Sequence, residues 1–216
     1  MSTLPQYIVV EGPIGVGKTS LARRLANSFD SEVLLEEAEK NPFLEGFYQN
    51  RQQSALPTQL FFLLQRAKQI QEIRQCDMFA PTRVADFLLE KDRLFAAITL
   101  DVDEMSIYDQ VYDTLTLQAP LPDLVVYLQA PVDVLMVRIR KRGREIEASI
   151  DTTYMQKLVD EYTRFFYYYN ATPLLIVNAE QIDLVSNDQD YELLLQQIRQ
   201  MGSGRHYYNP IPFVQD

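Results

Sequence analysis

The sequence predicts an α/β fold in which helices flank a parallel sheet of five strands. The first indication is a series of short apolar runs, each continuous rather than alternating with polar residues. Continuous runs are typical of parallel strands that are covered on both faces. The second indication is that helical patterns lie between the runs, an order typical of layered α/β folds. Because we find no repeat, low-complexity block or linker, we interpret residues 1–216 as one domain.

Each predicted strand corresponds to one apolar run, and the runs are residues 7–10, 33–35, 84–85 with their flanks, 124–128 and 174–177. A helix is predicted after the first strand, because Leu21, Leu25 and Phe29 recur every four residues. The segment from about 202 to 216 contains two glycines and two prolines. We therefore expect an irregular tail there, either docked or mobile.

Three further helices are predicted between the later strands. Apolar and aromatic residues recur with helical spacing over residues 108–115 and again over 155–169. Pro131 suits the first turn of a helix that runs to Gly143, a residue that ends helices readily. The order of elements therefore agrees with the α/β interpretation.

The charge balance limits the partners that this chain can bind. The sequence has 20 Lys and Arg residues against 30 Asp and Glu residues, which gives a formal net charge of −10. An acidic protein is poorly suited to hold a polynucleotide by its phosphates, so we expect no nucleic-acid partner. A smaller anion would have to meet a local cluster of positive charge.

Single residues narrow the chemistry and the compartment. Cys76 is the one cysteine, which rules out an intrachain disulfide and indicates an inert free thiol in a reducing compartment. His206 is the one histidine, which excludes histidine-based metal sites and Ser-His or Cys-His nucleophile pairs. With no run of about eighteen apolar residues and no signal pattern, we expect a cytoplasmic protein without a membrane partner.

The stretch "EGPIGVGKT" predicts a nucleotide site. It fits the pattern of a phosphate-binding loop, and it follows a strand and opens a helix. In such a loop backbone N–H groups surround the phosphates, Lys18 reaches the β- and γ-phosphates, and Thr19 binds Mg²⁺. The predicted ATP-binding residues are therefore Gly12, Pro13, Ile14, Gly15, Val16, Gly17, Lys18 and Thr19, with Arg142 from the lid described next.

The use of the nucleotide is indicated by a basic segment, "RIRKRGREIE". Five of the seven residues 138–144 are Arg or Lys, and Gly143 interrupts the helix within them. A solvated helix face is one explanation. We favour a mobile lid over about 138–150, whose arginines stabilise charge on a transferring phosphoryl group. The base-reading motif of a GTPase is absent, and the apolar run at residues 124–128 is followed by "QAP" rather than by the acid with which a motor ATPase normally ends a strand.

A kinase also needs a carboxylate near its acceptor hydroxyl. Glu36 and Glu37 follow the second strand, and the carboxyl ends of parallel strands face the ligand crevice. Either residue alone would be as consistent with an exposed loop acid.

These pieces together resemble the deoxynucleoside kinase family, and most of all its bacterial deoxyadenosine/deoxyguanosine kinases. The likeness runs from about residue 7 to residue 178 and includes "EEAEKNPFLEGFY", "PTQLFFLLQRAKQ" and "VADFLLEKDRLFA" in family order. It implies a P-loop kinase fold with five parallel strands, a small Arg-rich lid and a homodimer. It also implies ATP with Mg²⁺ as the phosphoryl donor.

The resemblance assigns roles to particular side chains. Glu36, rather than Glu37, matches the general base that accepts the proton of the 5′-hydroxyl, and it acts with Lys18 and the lid arginines Arg142 and Arg144. The implied acceptor-binding residues are Glu36, Tyr48, Gln59, Phe62, Arg66, Asp86, Asp92 and Glu147, with Phe95 as a second stacking candidate. The implied metal ligands are Thr19 and Asp86.

Within this set the roles differ. Tyr48 and Glu147 resemble the pair that holds the sugar 3′-hydroxyl, and Gln59 the residue that binds the base edge. Arg66 lies two helical turns after Gln59, so both can lie on one face. Asp92 matches the acid that purine- and cytidine-accepting members place opposite this arginine, and an ordinary salt bridge is the alternative explanation of the pair. Pro57 is expected to start that helix.

The sequence departs from the family after Asp86, where many members carry an arginine and a serine. Phe87 and Leu88 stand there instead. We expect that Arg83, Arg93 or a lid arginine substitutes, or that turnover and acceptor choice differ.

We therefore expect an ATP-dependent deoxynucleoside 5′-kinase for nucleotide salvage that favours purine deoxynucleosides, with deoxycytidine possible. One alternative is a nucleoside monophosphate kinase of the thymidylate kinase type, although five acids between residues 32 and 45 would repel an acceptor phosphate. A second alternative is a non-catalytic ATP-binding regulatory module.

Overall fold

A computed structural model describes residues 5–74, 82–116 and 119–210, so Cys76 lies outside the described residues. The strands are β1 (Tyr7–Glu11), β2 (Glu32–Leu34), β3 (Arg83–Ala85), β4 (Leu124–Gln129), β5 (Leu174–Asn178) and β6 (Arg205–Tyr208). The helices are α1 (Lys18–Ser28), α2 (Leu44–Gln49), α3 (Arg51–Arg74), α4 (Asp92–Thr99), α5 (Val102–Thr116), α6 (Val132–Arg142), α7 (Thr152–Tyr168) and α8 (Asp188–Arg199).

The strands form one parallel sheet in the order β2-β3-β1-β4-β5-β6. Central strand β1 is buried along its whole length, which explains its continuous apolar run. Ile8 aligns with Val84 on one side and with Leu124 on the other. The α/β fold with a parallel sheet and flanking helices is therefore confirmed.

The predicted count of five strands is wrong, because residues within the expected irregular tail form β6. Arg205 begins this strand, which pairs in parallel with β5. Its guanidinium donates hydrogen bonds to the carbonyl oxygens of Phe166, Tyr167 and Tyr169 at the end of α7, at 2.9–3.0 Å. The side chains of β6 are exposed or half-buried, so this edge strand has no apolar run by which the sequence could reveal it. Residues 211–216 lie outside the described part of the chain.

The predicted helices are present, with one boundary corrected. Helix α6 follows Pro131 and ends at Gly143, whose φ of 67° is left-handed. Pro57, however, does not start a helix but lies inside α3. A proline in a helix removes one N–H donor and crowds the preceding turn. The buried face of α3, which includes Leu63 and Ile70, packs into the core and offsets that cost.

The carboxyl ends of β1, β2 and β3 lie side by side and carry acidic residues. Glu11 is the last residue of β1, and Asp86 directly follows β3. Glu36 stands two residues after the end of β2. In an open parallel sheet this edge is where ligands bind. None of the helices in the described ranges is long and apolar enough to cross a membrane.

Candidate functional site

The phosphate-binding loop joins β1 to α1 and packs against the end of β4. At Gly12, where φ is +150°, a Cβ atom would lie 2.5 Å from the carbonyl oxygen of Leu128, so this position accepts no side chain without a shift. Gly17, with φ +107°, is the N-cap residue of α1. Since glycine has no capping side chain, the first N–H groups of α1 are available to an anion.

Lys18 lies against the loop that precedes it. Its Nζ donates hydrogen bonds to the carbonyl oxygens of Gly12 at 2.7 Å and of Pro13 at 3.2 Å. Burial, reinforced by the neighbouring charge of Lys91, lowers the pKa of Lys18 to about 8. A cation at the loop with a lowered pKa is stabilised by an incoming phosphate.

Thr19 and Asp86 meet at the edge of the loop. The Thr19 hydroxyl donates to Asp86 Oδ2 at 2.5 Å, while the backbone N–H of Glu36 donates to Asp86 Oδ1 at 2.7 Å. Burial raises the pKa of Asp86. A hydroxyl and a carboxylate side by side are the hard oxygen ligands that Mg²⁺ prefers, with phosphates and water completing its shell. The described residues contain no cluster of three or more acid, His or Cys side chains suited to a metal, so a site here fits Mg²⁺ shared with a nucleotide rather than a protein cage.

Glu36 faces this site, and Glu37 does not. One carboxylate oxygen of Glu36 accepts a hydrogen bond from Arg66 Nη2, and the other lies 3.3 Å from Lys91 Nζ. Burial raises the pKa of Glu36, but Arg66, Lys91 and Lys18 more than reverse this and lower it to about 2. Glu37 instead pairs with Lys40 at 2.8 Å on the surface. Glu36 is therefore the ionised carboxylate of the crevice.

The acceptor end of the site is formed by α3 and α4. Gln59 Nε2 donates to Thr99 Oγ1 at 3.2 Å, which fixes the orientation of its amide. Two turns later, Arg66 places one guanidinium nitrogen on Asp92 and another on Glu36. The guanidinium of Arg66 also lies 5.2 Å from the ring centre of Phe62. Gln59 and Arg66 thus share one face of α3, as their spacing predicts.

The basic segment that is predicted to form a lid contributes Arg142, Arg144 and Glu147 to the lining of the site. Arg142 Nη2 contacts Glu147 Oε2 at 2.6 Å, and Arg144 Nη1 reaches Glu39 Oε1, in the segment after β2, at 3.0 Å. Glu147 is buried. Burial, with the nearby Tyr154 and Glu147, raises the pKa of Tyr48 well above its usual range, so its hydroxyl remains neutral. The arginines of the lid are therefore already paired with acids at the site.

One cavity connects these residues. The sequence-predicted residues that line it are Ile14, Gly15, Lys18, Thr19, Glu36, Tyr48, Gln59, Phe62, Arg66, Asp86, Phe95, Arg142, Arg144 and Glu147. Asp92 is an exception, because it is fully buried behind Arg66 and does not line the cavity. In the structure Asp92 supports Arg66, and its expected contact with an acceptor stays a prediction.

Lys91 is a residue of this cavity that sequence reasoning missed. Its side chain is 2% exposed and lies between Glu36 and Glu11. Arg83 and Arg93, two of the expected substitutes for the absent arginine, pair with Glu32 at 3.2 Å and with Asp109 at 2.9 Å. The sequence contained one signal that could have indicated Lys91. Glu11 ends the apolar run "YIVVE", and an acid in a buried strand requires a buried partner.

A second depression lies on the other side of the phosphate-binding loop. It is lined by Gly17, Arg138, Lys141 and residues 182–186. Arg138 donates to the carbonyl oxygen of Ala179 at 2.8 Å. The loop thus separates two depressions and faces both.

Comparison with known proteins shows which family has this sequence and fold. Residues 8–202 match the model of the family described as deoxynucleoside kinase. The chain is 33% identical over 208 residues to deoxyguanosine kinase of Bacillus subtilis (strain 168), covering 93% of this chain and 99% of the relative. It is 29% identical to the deoxyadenosine/deoxycytidine kinase of the same strain, with 88% of this chain and 90% of the relative covered. Among solved structures, deoxyadenosine kinase from M. mycoides with bound dATP superposes with a TM-score of 0.79 at 23% identity, over 90% of this chain and 100% of that one.

Proposed function

Because the chain belongs to the deoxynucleoside kinase family and is a phosphotransferase with an alcohol group as acceptor, we propose that it transfers the γ-phosphoryl group of ATP to the 5′-hydroxyl of deoxynucleosides, with purine deoxynucleosides ahead of deoxycytidine. One observation carries this proposal. A single cavity holds the phosphate-binding lysine Lys18, the ionised carboxylate of Glu36 and the polar side chains of Gln59 and Arg66. The products would be deoxynucleoside monophosphates for nucleotide salvage.

The chemical step requires positioning more than covalent help from the protein. The transition state of phosphoryl transfer is loose, so the aligned hydroxyl and phosphate matter most. Glu36 accepts the 5′-hydroxyl hydrogen and takes its proton as the bond to phosphorus forms. Lys18 binds the β- and γ-phosphates, and Arg142 and Arg144 exchange their carboxylate partners for phosphate oxygens. When bound at Thr19 and Asp86, Mg²⁺ supplies neutralisation of the phosphate charge.

The nucleobase of the acceptor would have its edge against Gln59 and its face against Phe62. With one N–H of Gln59 bonded to Thr99, its carbonyl oxygen and second N–H remain to read a base edge. The guanidinium of Arg66, held by Asp92, presents fixed donors that suit N7, the acceptor that adenine and guanine share. Phe62 stacks on the base, with Phe95 opposite. Relatives named for deoxyguanosine and deoxyadenosine support the purine preference.

The sugar would be held at its 3′-hydroxyl by Tyr48 and Glu147. Both line the cavity, and the neutral phenol of Tyr48 can donate while the carboxylate of Glu147 accepts. Because Glu147 comes from the lid, binding of the sugar would complete lid closure. The depression beside Arg138 would take the donor's base and ribose.

Two alternatives from the sequence lose their support. Family membership removes the regulatory module and the thymidylate-type kinase.

The proposal includes a cytoplasmic homodimer. Leu64 on α3 and Ile107 on α5 are 54% and 50% exposed, and these two helices pack against each other. Exposed apolar side chains on neighbouring helices favour burial against a second copy. Light scattering of the purified protein measures the mass directly, and a monomer at micromolar concentration would contradict this part.

The test of the function is a substrate panel with a matched pair of variants. The protein with ATP and Mg²⁺ should consume deoxyguanosine and deoxyadenosine faster than thymidine, and should not consume the monophosphates. Glu36→Gln should lower kcat by about 10²–10⁴-fold, the range for loss of a general base, with ATP binding retained. Glu37→Gln, one residue along and paired at the surface, should leave kcat unchanged. Equal rates in the two variants would refute the assignment of Glu36.

A further inference from the structure

The side chain of Lys91 lies between two carboxylates at the end of the sheet. Its Nζ is 3.4 Å from Glu11 Oε2 and 3.3 Å from Glu36 Oε2. Glu11 is fully buried, whereas the side chain of Glu36 is 18% exposed and faces the cavity. An ammonium group has three donors, so it can bind both acids at once.

Glu11 is itself held in place by three further donors. Its Oε1 accepts the backbone N–H of Gly12 at 2.8 Å and the hydroxyl of Tyr162 at 2.9 Å. Its Oε2 accepts the backbone N–H of Leu88 at 2.7 Å. Four donors, counting Lys91, fix this carboxylate rigidly. Because Gly12 is the first glycine of the phosphate-binding loop, Glu11 ties the loop to Lys91.

The two cations on Glu36 have different supports. Arg66 binds Oε1 of Glu36 and is held by Asp92 at the acceptor-base end of the cavity. Lys91 binds Oε2 and is held by Glu11 at the phosphate end. One Glu11–Lys91 pair already balances the buried charge of Lys91. The contact with Glu36 is therefore additional to what burial of Lys91 requires.

We propose that Lys91, anchored by Glu11, is a positioning residue that fixes the Glu36 carboxylate relative to the phosphate-binding loop. The proposal rests on the proposed role of Glu36 as the base. Through the chain Gly12–Glu11–Lys91–Glu36, the acceptor hydroxyl and the γ-phosphate are held by groups that share one rigid support. An error of about 1 Å in such an alignment costs on the order of 100-fold in rate. Lys91 thereby replaces the cation that the sequence lacks after Asp86.

The test compares Lys91→Met and Lys91→Arg with Arg93→Met as the control. Arg93 is two residues away, half-exposed, and paired with Asp109 outside the cavity. Lys91→Met should lower kcat by roughly 100-fold while the KM values for ATP and deoxynucleoside change less than threefold, the split expected when alignment rather than binding is lost. Lys91→Arg, which keeps the cation, should recover at least about tenfold of that loss. Arg93→Met should match the parent protein.

A second variant serves as the control for loss of folding. Lys91→Met strands the buried charge of Glu11, so it can unfold the protein. The double variant Glu11→Gln/Lys91→Met removes both charges, and once folded it should show the same loss of kcat as Lys91→Met. A folded variant lacking Lys91 with kcat within threefold of the parent overturns the proposal, as does a loss expressed in KM alone. If Glu36→Gln abolishes turnover while these variants do not, this inference fails and the proposed function stands. If Glu36→Gln is fully active, the proposed base fails first.

Discussion

The contacts of Arg66 lead to a prediction that separates recognition of the base from catalysis. Its guanidinium binds Asp92 through Nη1 and Glu36 through Nη2. The side chains of Arg66 and Asp92 are 3% and 1% exposed, so water does not screen this pair. From the sequence alone, Arg66 and Asp92 form a purine-specificity pair. The structure adds that Arg66 also holds the carboxylate proposed to act as the base.

Two variants separate these contacts, because one removes both and the other changes only the contact with Asp92. Arg66→Met leaves Asp92 buried without its partner and releases Glu36. Removing one member of a buried pair costs about 3–5 kcal/mol of folding stability, and misplacing the base costs about 100-fold in kcat. Asp92→Asn keeps an oxygen acceptor for Arg66 and leaves the contact with Glu36 intact. Asp92→Asn should therefore affect only recognition of the nucleobase. We expect the preference for purine deoxynucleosides over thymidine to change about tenfold, which corresponds to about 1.4 kcal/mol.

The assay is the determination of kcat and KM for deoxyguanosine, deoxyadenosine and thymidine, with the folded fraction measured by thermal unfolding. Arg66→Met should lower kcat for all three acceptors, including thymidine. Asp92→Asn should lower the ratio of purine to thymidine kcat/KM while the best kcat changes little. An Arg66→Met protein that is folded and turns over thymidine at the parent rate or faster would refute the reasoning, because Glu36 would then not depend on Arg66.

Two further predictions concern the phosphate-binding loop. Gly12→Ala places a Cβ atom 2.5 Å from the Leu128 carbonyl oxygen. It should destabilise the protein by about 1–3 kcal/mol and raise the KM for ATP. Gly202→Ala is the control, because its Cβ meets no heavy atom of the described residues within 4 Å. It should change neither the melting temperature nor the KM for ATP. Equal melting temperatures for the two variants would contradict the prediction. Since the pKa of Lys18 is lowered to about 8, its ammonium is lost as pH rises through 8, and ATP binding there should be accompanied by proton uptake. Calorimetry in two buffers of different ionisation enthalpy should show uptake at pH 8 that vanishes near pH 6 and in Lys18→Met; no uptake at pH 8 would exclude the lowered pKa.

Features encoded within a few neighbouring residues were predictable from the sequence. The loop from Gly12 to Thr19, the helix between Pro131 and Gly143, and the paired face of Gln59 and Arg66 each depend on local spacing. Local patterns have direct structural consequences, because backbone geometry fixes which neighbours share a turn or a helix face.

Features that depend on distant pairing were not predictable. Glu11 and Lys91 are 80 residues apart, and the residues next to each of them do not indicate that the two side chains pair. Strand β6 forms because a polar segment finds the free edge of β5, and its side chains carry no buried pattern. Pro57 stands inside a helix because tertiary packing of α3 outweighs a local preference.

The contact between Arg144 and Glu39 has a consequence for the release of products. Its two side chains are 41% and 61% exposed, in contrast to the buried pairs deeper in the cavity. An exposed ion pair contributes about 0–1 kcal/mol and weakens as ionic strength increases. The contact that bridges the entrance is thus much weaker than those that organise the interior. Under the proposed function, the segment that carries Arg144 would therefore open for release of the monophosphate at small energetic cost, while the buried pairs stay in place.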